Sequence, residues 1–272
     1  MELKIDKISV LYPDWKMKKL SLEIQSGSFT AIVGPSGSGK TTLLRAIAGL
    51  EKTESGSIWF NEKNVSKFPP EERNIGFVFQ GDSLFSHLNV FDNVAFGLKM
   101  KNQENIVGRV KRALKLVHLK GFEKRSANNL SGGEKKRVAI ARAIAFNPGI
   151  LLLDEPLNGL DAPLKEKMKL LLKELQKKTN LTMVFVSHDI DEAFFLSDKI
   201  VVMNSGKIEQ VGLPVEIFLK PKNSFVKSFA ECYVLVEAKK KGKNLEAKLS
   251  FLPKGNKKAF VTLKKTNYRF FD

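Results

Sequence analysis

The residues best suited to chemistry lie in a glycine-rich run, Gly34-Pro35-Ser36-Gly37-Ser38-Gly39-Lys40-Thr41. This run fits the phosphate-binding template G-x-x-x-x-G-K-[ST] at every fixed position. An apolar run (29–33) precedes it and a helical pattern (42–50) follows it, so the loop is predicted to join a buried strand to a helix. Glycine lets the backbone wrap closely around phosphate, and the N-terminus of the helix adds positive charge. We therefore predict that Lys40 reaches the β- and γ-phosphates of a nucleotide and that the Thr41 hydroxyl faces Mg²⁺.

Four further polar groups follow apolar runs that are predicted to be buried strands. Asp154 and Glu155 follow residues 150–153, Gln80 follows 74–79, and His188 follows 182–186. In open α/β sheets, ligands bind at the carboxyl ends of the strands. We expect Asp154 to hold Mg²⁺ through water, Glu155 to act as general base, and His188 to contact a γ-phosphate. Gln80 is a candidate to reach Mg²⁺ or the attacking water. For the two acids the alternative is a solvated turn, which the four aliphatic residues before them disfavour.

Two features outside the loop are candidates to complete a nucleotide site. Ser131 is suited to cap a predicted helix that begins at Gly132-Gly133, whose first N–H groups are then open to a phosphate. The alternative is an ordinary capped helix. Tyr12 follows the first predicted strand and is a candidate to stack on an adenine ring. The alternative is that it packs beneath a hairpin.

Composition narrows the class of protein. The 272 residues carry 46 basic and 29 acidic side chains, a formal net charge of +17, which favours nucleotides, acidic lipids or nucleic acid as partners. The lysines are scattered, so we favour a general lysine bias, and no aromatic residues interleave the densest run (239–243), so no nucleic-acid partner is expected. A single cysteine, Cys232, excludes an internal disulfide and a cysteine metal cluster. We find no signal-peptide pattern and no membrane-spanning run, which predicts a cytoplasmic protein.

Strand and helix patterns alternate through most of the chain, which predicts an α/β fold built on a mostly parallel sheet. From about residue 84 to 145 three helical patterns with charged faces follow one another, which indicates a helical insert between two halves of that sheet. Beyond residue 230 the pattern changes to short β segments. The predicted division is therefore a nucleotide-binding domain over 1–230 and a small β tail over 231–272.

Taken together, the motifs resemble the nucleotide-binding subunit of an ATP-binding-cassette (ABC) transporter. They cover most of residues 1–230 and occur in the order of that family. The resemblance consists of Gly34 to Thr41 as the Walker A loop, Gln80 at the Q-loop, Leu130-Ser131-Gly132-Gly133-Glu134 as the signature motif, residues 150–154 as Walker B with Glu155 at the catalytic position, Leu160-Asp161 at the D-loop, His188 at the switch histidine and Tyr12 at the A-loop.

The resemblance implies an ATPase with a P-loop NTPase core of RecA-like mixed sheet, a helical subdomain at about 84–145 and a short C-terminal β segment. It implies ATP and Mg²⁺ as cofactors and a head-to-tail dimer in which two chains share each ATP. Nucleotide contacts would come from Tyr12, Gly34 to Thr41, Thr42, Ser131, Gly132, Gly133 and Asp161, metal contacts from Thr41, Gln80 and Asp154, and catalytic groups from Glu155, His188 and Gln80.

Two stretches, 73–98 and 187–230, are similar to bacterial importers of sugars, polyamines, ferric iron, thiamine and oxyanions. This similarity implies solute import at the cytoplasmic face of the cell membrane, with integral-membrane permease subunits and, indirectly, an extracytoplasmic solute-binding protein. Residues 231–272 look like a truncated part of an OB-like regulatory domain. An exporter ATPase is the nearest alternative, and a soluble non-transport ABC ATPase is a weaker one. Asn158-Gly159 and Glu134 depart from the usual family residues without removing a group that the chemistry needs.

Overall fold

A computed structural model describes residues 1–81, 84–230, 233–241, 244–252 and 259–263. Expectations that involve Cys232, or Gly242 and Lys243 of the lysine-rich run, lie outside the described residues. The described strands are β1 (Leu3–Leu11), β2 (Lys16–Ile24), β3 (Phe29–Val33), β4 (Ser55–Phe60), β5 (Lys63–Asn64), β6 (Ile75–Val78), β7 (Ile150–Asp154), β8 (Thr182–Ser187), β9 (Lys199–Asn204), β10 (Lys207–Gly212), β11 (Tyr233–Lys241), β12 (Asn244–Leu252) and β13 (Ala259–Leu263).

The helices confirm the predicted α/β class. They are α1 (Lys40–Ala48), α2 (Val90–Met100), α3 (Ile106–Leu116), α4 (Gly132–Ile144), α5 (Ala162–Thr179), α6 (Ile190–Leu196), α7 (Pro214–Leu219) and α8 (Ser224–Phe229). Short 3₁₀ turns lie at Pro70–Glu72 and Ala127–Asn129. Among the residues that the structure describes, no helix has both the length and the apolarity needed to cross a bilayer.

The central sheet has six strands in the order β10-β9-β3-β8-β7-β6. All neighbours are parallel except β10, which closes the sheet antiparallel to β9. Strands β3, β7 and β8 are buried along their whole length, as expected for parallel strands covered on both faces. A second, antiparallel sheet has the order β2-β1-β4-β5, and β11, β12 and β13 form a third, also antiparallel.

The central sheet separates two hydrophobic cores. Side chains alternate along a strand, so Phe29, Ala31 and Val33 of β3 face one core and Ile32 faces the other. The first core includes buried residues of α2 to α8, and the second includes α1 and the antiparallel sheet around β1. Helix α1, which follows the glycine loop, is therefore held between two sheets.

The helical insert is present, but its place in the sheet differs from the prediction. Helices α2, α3 and α4 lie between β6 and β7 in the sequence and contact one another. We expected the insert to divide the sheet into halves. In fact the strands on either side of the insert in the sequence, β6 and β7, are neighbours in the sheet, and β6 is its edge strand. The insert therefore does not separate two halves of the sheet. A chain that leaves the edge strand can form a long excursion without interrupting the sheet.

Smaller differences concern element ends. Helix α1 begins at Lys40 rather than Thr42, because Gly39 takes up a left-handed conformation with φ 98° and starts the helix early. Strand β5 and helix α8 were not predicted. The Asn223 side chain accepts a hydrogen bond from the Val226 backbone N–H and so caps α8. The short β segments predicted beyond residue 230 are present as β11 to β13, while the domain boundary at residue 230 remains a prediction.

Candidate nucleotide site

The strand order brings the predicted site residues together from distant parts of the sequence. The glycine loop follows β3, His188 follows β8, Asp154 ends β7 with Glu155 after it, and Gln80 lies just beyond β6. These four strands are consecutive neighbours in the central sheet. The expectation that their carboxyl ends share one edge is confirmed.

The glycine loop has the geometry that only glycine adopts without strain. Gly34, Gly37 and Gly39 have φ values of 155°, 77° and 98°. A Cβ at Gly34 would lie 2.1 Å from the Met203 carbonyl oxygen, and one at Gly39 would lie 2.4 Å from the Trp15 ring. Glycine is therefore required at Gly34 and Gly39 both by the backbone conformation of the loop and by the close packing of Met203 and Trp15 against it. Trp15, which sequence reasoning did not assign, forms this support.

Lys40 is 6% exposed, and its Nζ donates hydrogen bonds of 2.8 Å to the carbonyl oxygens of Gly34 and Pro35. Burial lowers the pKa of Lys40, against the opposing effects of the nearby carboxylates of Glu155 and Asp154. The Ser38 hydroxyl is also buried and has no hydrogen-bond partner among the residues that the structure describes. The loop thus contains an enclosed cation and an unsatisfied hydroxyl, which both suit an anionic ligand.

Thr41 and Asp154 form a direct pair. The Thr41 hydroxyl donates to Oδ1 of Asp154 at 2.9 Å, and Asp154 is 2% exposed. Burial raises the pKa of Asp154, although the hydrogen bond from Thr41 opposes this effect. The alternative of solvated acids is wrong for Asp154, because it ends a fully buried strand. A hydroxyl and a carboxylate at this distance are oxygen donors of the kind that Mg²⁺ prefers.

Glu155 contacts both other polar groups of the sheet edge. Its Oε2 accepts a 2.7 Å hydrogen bond from the Gln80 side-chain amide, and its Oε1 lies 3.6 Å from Nδ1 of His188. Its backbone has φ 47°, a left-handed conformation that is uncommon outside glycine. The structure therefore groups Glu155, Gln80 and His188, as the sequence predicted.

Tyr12 lies on the wall of a cleft of about 560 Å³ that also includes Trp15 and loop residues up to Thr42. Its side chain is 43% exposed, so the alternative in which it packs beneath the hairpin is wrong. The nearby Glu51 carboxylate raises the pKa of Tyr12. The ring is placed where a base could stack, and stacking itself stays a prediction.

Ser131 caps α4 as predicted, within a reciprocal arrangement. Its hydroxyl accepts from the Glu134 backbone N–H at 3.3 Å, while Glu134 Oε2 accepts from the Ser131 backbone N–H at 2.8 Å. The latter bond lowers the pKa of Glu134. A Cβ built on Gly132 meets no atom within 4 Å, so the helix end is open. Within the described residues, no hydrogen bond joins this terminus to the glycine loop.

Asp161 caps α5, because its side chain accepts a 2.8 Å hydrogen bond from the Leu164 backbone N–H. The sequence identified the position but not this local role. A nucleotide contact by Asp161 stays a prediction.

The loop motif and the order of the strands can now be compared with known proteins. The family model described as ABC transporter matches residues 17–158, more than half of the chain. The chain belongs to the ABC transporter family. Its fold agrees: a chain of cbiO1 from Clostridium perfringens, described as part of the ABC transporter complex cbiONQ, superposes with a TM-score of 0.73 and 36% identity. That alignment covers 80% of this chain and 90% of the cbiO1 chain.

Two further relatives bear on function. A dimeric ATP-binding cassette, MJ0796, solved in a post-hydrolysis state with ADP and Pi, has a TM-score of 0.69 and 34% identity, covering 78% of this chain and 98% of its own. The spermidine/putrescine import ATP-binding protein PotA of Clostridioides difficile (strain 630) is 49% identical over 215 residues, which are 78% of this chain. The chain spans 62% of the length of that relative.

Proposed function

We propose that this ABC cassette binds and hydrolyses ATP and thereby drives solute import through a membrane permease. The observation that carries the hydrolytic part is the convergence of Glu155, Gln80 and His188 beside the Lys40 loop. Import, rather than export, is supported by the similarity to PotA, whose name specifies spermidine/putrescine import. A polyamine is accordingly the first solute to test.

The residues present fit ATP with a bound metal ion. The buried Ser38 hydroxyl, which finds no hydrogen-bond partner within the described part of the chain, and the enclosed Lys40 amine lie in a loop with room for phosphate. Thr41, Asp154 and Gln80 would hold Mg²⁺, which when bound neutralises charge on the phosphates. Gly34 to Thr42 would contact the phosphates, and Tyr12 would stack on the base.

The residues of the chain then divide the work of hydrolysis. Lys40 must exchange its two loop carbonyls for phosphate oxygens, which costs little because hydrogen bonds replace hydrogen bonds. Glu155 accepts a proton from the attacking water as general base. His188, whose Nδ1 lies 3.6 Å from Oε1 of Glu155, contacts the γ-phosphate. Hydrolysis requires Glu155 to have one oxygen available to the water.

We further propose that two copies form a head-to-tail dimer in which Ser131, Gly132, Gly133 and Asp161 of one chain approach the ATP of the other. The open N-terminus of α4 supports this arrangement, since its N–H groups can bind an anion. The permease would dock near Gln80 and the helical insert, where Phe79 and Phe96 are 41% and 42% exposed. The proposal implies a location at the cytoplasmic face of the cell membrane, with a solute-binding protein as an indirect partner.

The test of the general base is Glu155→Gln, with Glu62→Gln on the exposed surface as matched control. We expect hydrolysis to fall by about 10² to 10⁴, with ATP affinity retained and an ATP-bound dimer detected by light scattering. Turnover equal to that of the control variant would contradict the assignment. Import is tested separately, by purifying the tagged protein from host membranes, where a polytopic permease should co-purify. Host cells that express the protein should also take up labelled spermidine. Recovery of ribosomal or DNA-bound material with no membrane protein would refute the transport proposal.

A further inference from the structure

Glu155 has a third polar contact that its expected role does not require. The side-chain amide of Asn158 donates to Oε2 of Glu155 at 2.9 Å, and the same oxygen accepts the bond from Gln80. The backbone N–H of Asn158 also donates to the Glu155 carbonyl oxygen at 3.2 Å. Asn158 and Glu155 therefore face each other across one tight turn.

This turn holds a strained residue in place. Glu155 has φ 47°, which costs a non-glycine residue about 1 kcal/mol or more unless the surroundings enforce it. Its backbone N–H donates to the Val186 carbonyl at 3.2 Å, which fixes it to β8. Lys136 of α4 donates to the carbonyl oxygens of Pro156 and Asn158. The turn is thus fastened both to the central sheet and to the helix that Ser131 caps.

The Gln80 and Asn158 amides, which both donate to Oε2 of Glu155, differ in how closely they are linked to the Glu155 backbone. Gln80 comes from beyond β6 and has a competing role, because it is a proposed metal ligand. Asn158 lies three residues from Glu155 in the same hydrogen-bonded turn, so the two side chains should move together when the turn moves. When Gln80 turns away, Asn158 is the side chain that continues to hold Oε2. The oxygen then left for the water is Oε1, which already faces His188.

We infer that Asn158 is a positioning residue that fixes the Glu155 carboxylate so that Oε1 is presented to the attacking water. The inference rests on the proposed general-base role of Glu155. Asn158 acts through Glu155 and is not itself assigned a contact with ATP. Its loss should therefore reduce the rate of hydrolysis and leave nucleotide binding intact.

The experiment compares Asn158→Ala and Asn158→Asp with Gln25→Ala, which removes an exposed amide from the turn between β2 and β3. We expect kcat to fall roughly 10- to 100-fold for Asn158→Ala, equivalent to the loss of one hydrogen bond to a charged group. Asn158→Asp has the same shape but sets a second carboxylate against Glu155, so a larger loss is expected. The KM for ATP and the affinity for ATP measured by calorimetry should stay within twofold for both variants.

A double-variant measurement separates positioning from a general loss of structure. In the Glu155→Gln background the base is already removed, so adding Asn158→Ala should leave the residual single-turnover rate unchanged. Equal kcat in wild type and Asn158→Ala, a parallel change in KM, or an additive loss in the double variant would each overturn the inference. If wild-type protein fails to hydrolyse ATP, or Glu155→Gln turns over normally, the proposed function fails instead.

Discussion

Arg73 should contribute strongly to the stability of the fold around α1, the helix that follows the nucleotide-binding loop. It is 5% exposed, and its guanidinium donates to the carbonyl oxygens of Ala46 and Ile47 at 2.9 Å each, at the C-terminal end of α1. It also donates to the carbonyl oxygens of Phe68 and Ser66, at 2.9 and 3.1 Å. A cation at this helix end complements the helix dipole, although burial lowers the pKa of Arg73.

The expected cost of Arg73→Ala follows from these four bonds. Gly49 N–H also donates to the Ala46 carbonyl, so that group keeps a partner, whereas the carbonyl of Ile47 and those of the loop lose a donor. At about 1–3 kcal/mol for each buried group left without a partner, less the recovered cost of burying the charge, the free energy of unfolding should fall by about 4 kcal/mol. Arg73→Lys should lose less than Arg73→Ala, because the ammonium keeps a cationic donor at this helix end. Some loss should remain, because one ammonium cannot span all four carbonyls.

Thermal unfolding of the nucleotide-free chain, followed by circular dichroism, measures this loss. For a domain of this size about 4 kcal/mol corresponds to a decrease in Tm of roughly 8–16 °C. Arg112→Ala is the control, because Arg112 is an exposed arginine on α3. A decrease for Arg73→Ala no larger than that of the control would refute the reasoning that buried carbonyls at this helix end need a charged donor.

Two further predictions concern the nucleotide site itself. Gly39→Ala should weaken ATP binding at least tenfold in calorimetry, because its new Cβ would meet the Trp15 ring at 2.4 Å in addition to the strain of a positive φ. Gly37→Ala carries the strain of its φ of 77°, but its Cβ meets no described atom within 4 Å, so its loss should be smaller. Equal losses would contradict the packing argument. Asp154→Asn should raise the Tm of the nucleotide-free protein, because burial raises the pKa of Asp154 and its charge therefore destabilises the fold at neutral pH. This advantage should shrink as pH falls through the raised pKa, where wild-type Asp154 becomes neutral, and a pH-independent difference would show that the charge is not the cause.

The sequence predicted the site residues better than it predicted what supports them. Lys40, Asp154 and Glu155 were found because a motif and an apolar strand each mark a fixed chemical position. The residues that support the site match no motif: Arg73 is an arginine before a strand, and Trp15 is an aromatic residue in a turn. Their roles depend on which carbonyls and glycines lie opposite them in the folded chain. Local sequence carries no information about those long-range neighbours.

Sequence patterns also could not predict the order of the strands in the sheet. That order bears on how Gln80 and Glu155 can move relative to each other. Periodicity identifies β6 and β7 as strands but does not show that β6 is at the edge. Among the described strands, β6 pairs only with β7, and the helical insert follows it directly. Glu155, in contrast, follows a strand with neighbours on both sides and is held by the turn of Asn158. Lys136 joins the Glu155 turn to α4, so a displacement of α2 that leaves α4 in place would move Gln80 and not Glu155. The 2.7 Å bond between them would then break at the Gln80 side, which leaves the carboxylate in its place.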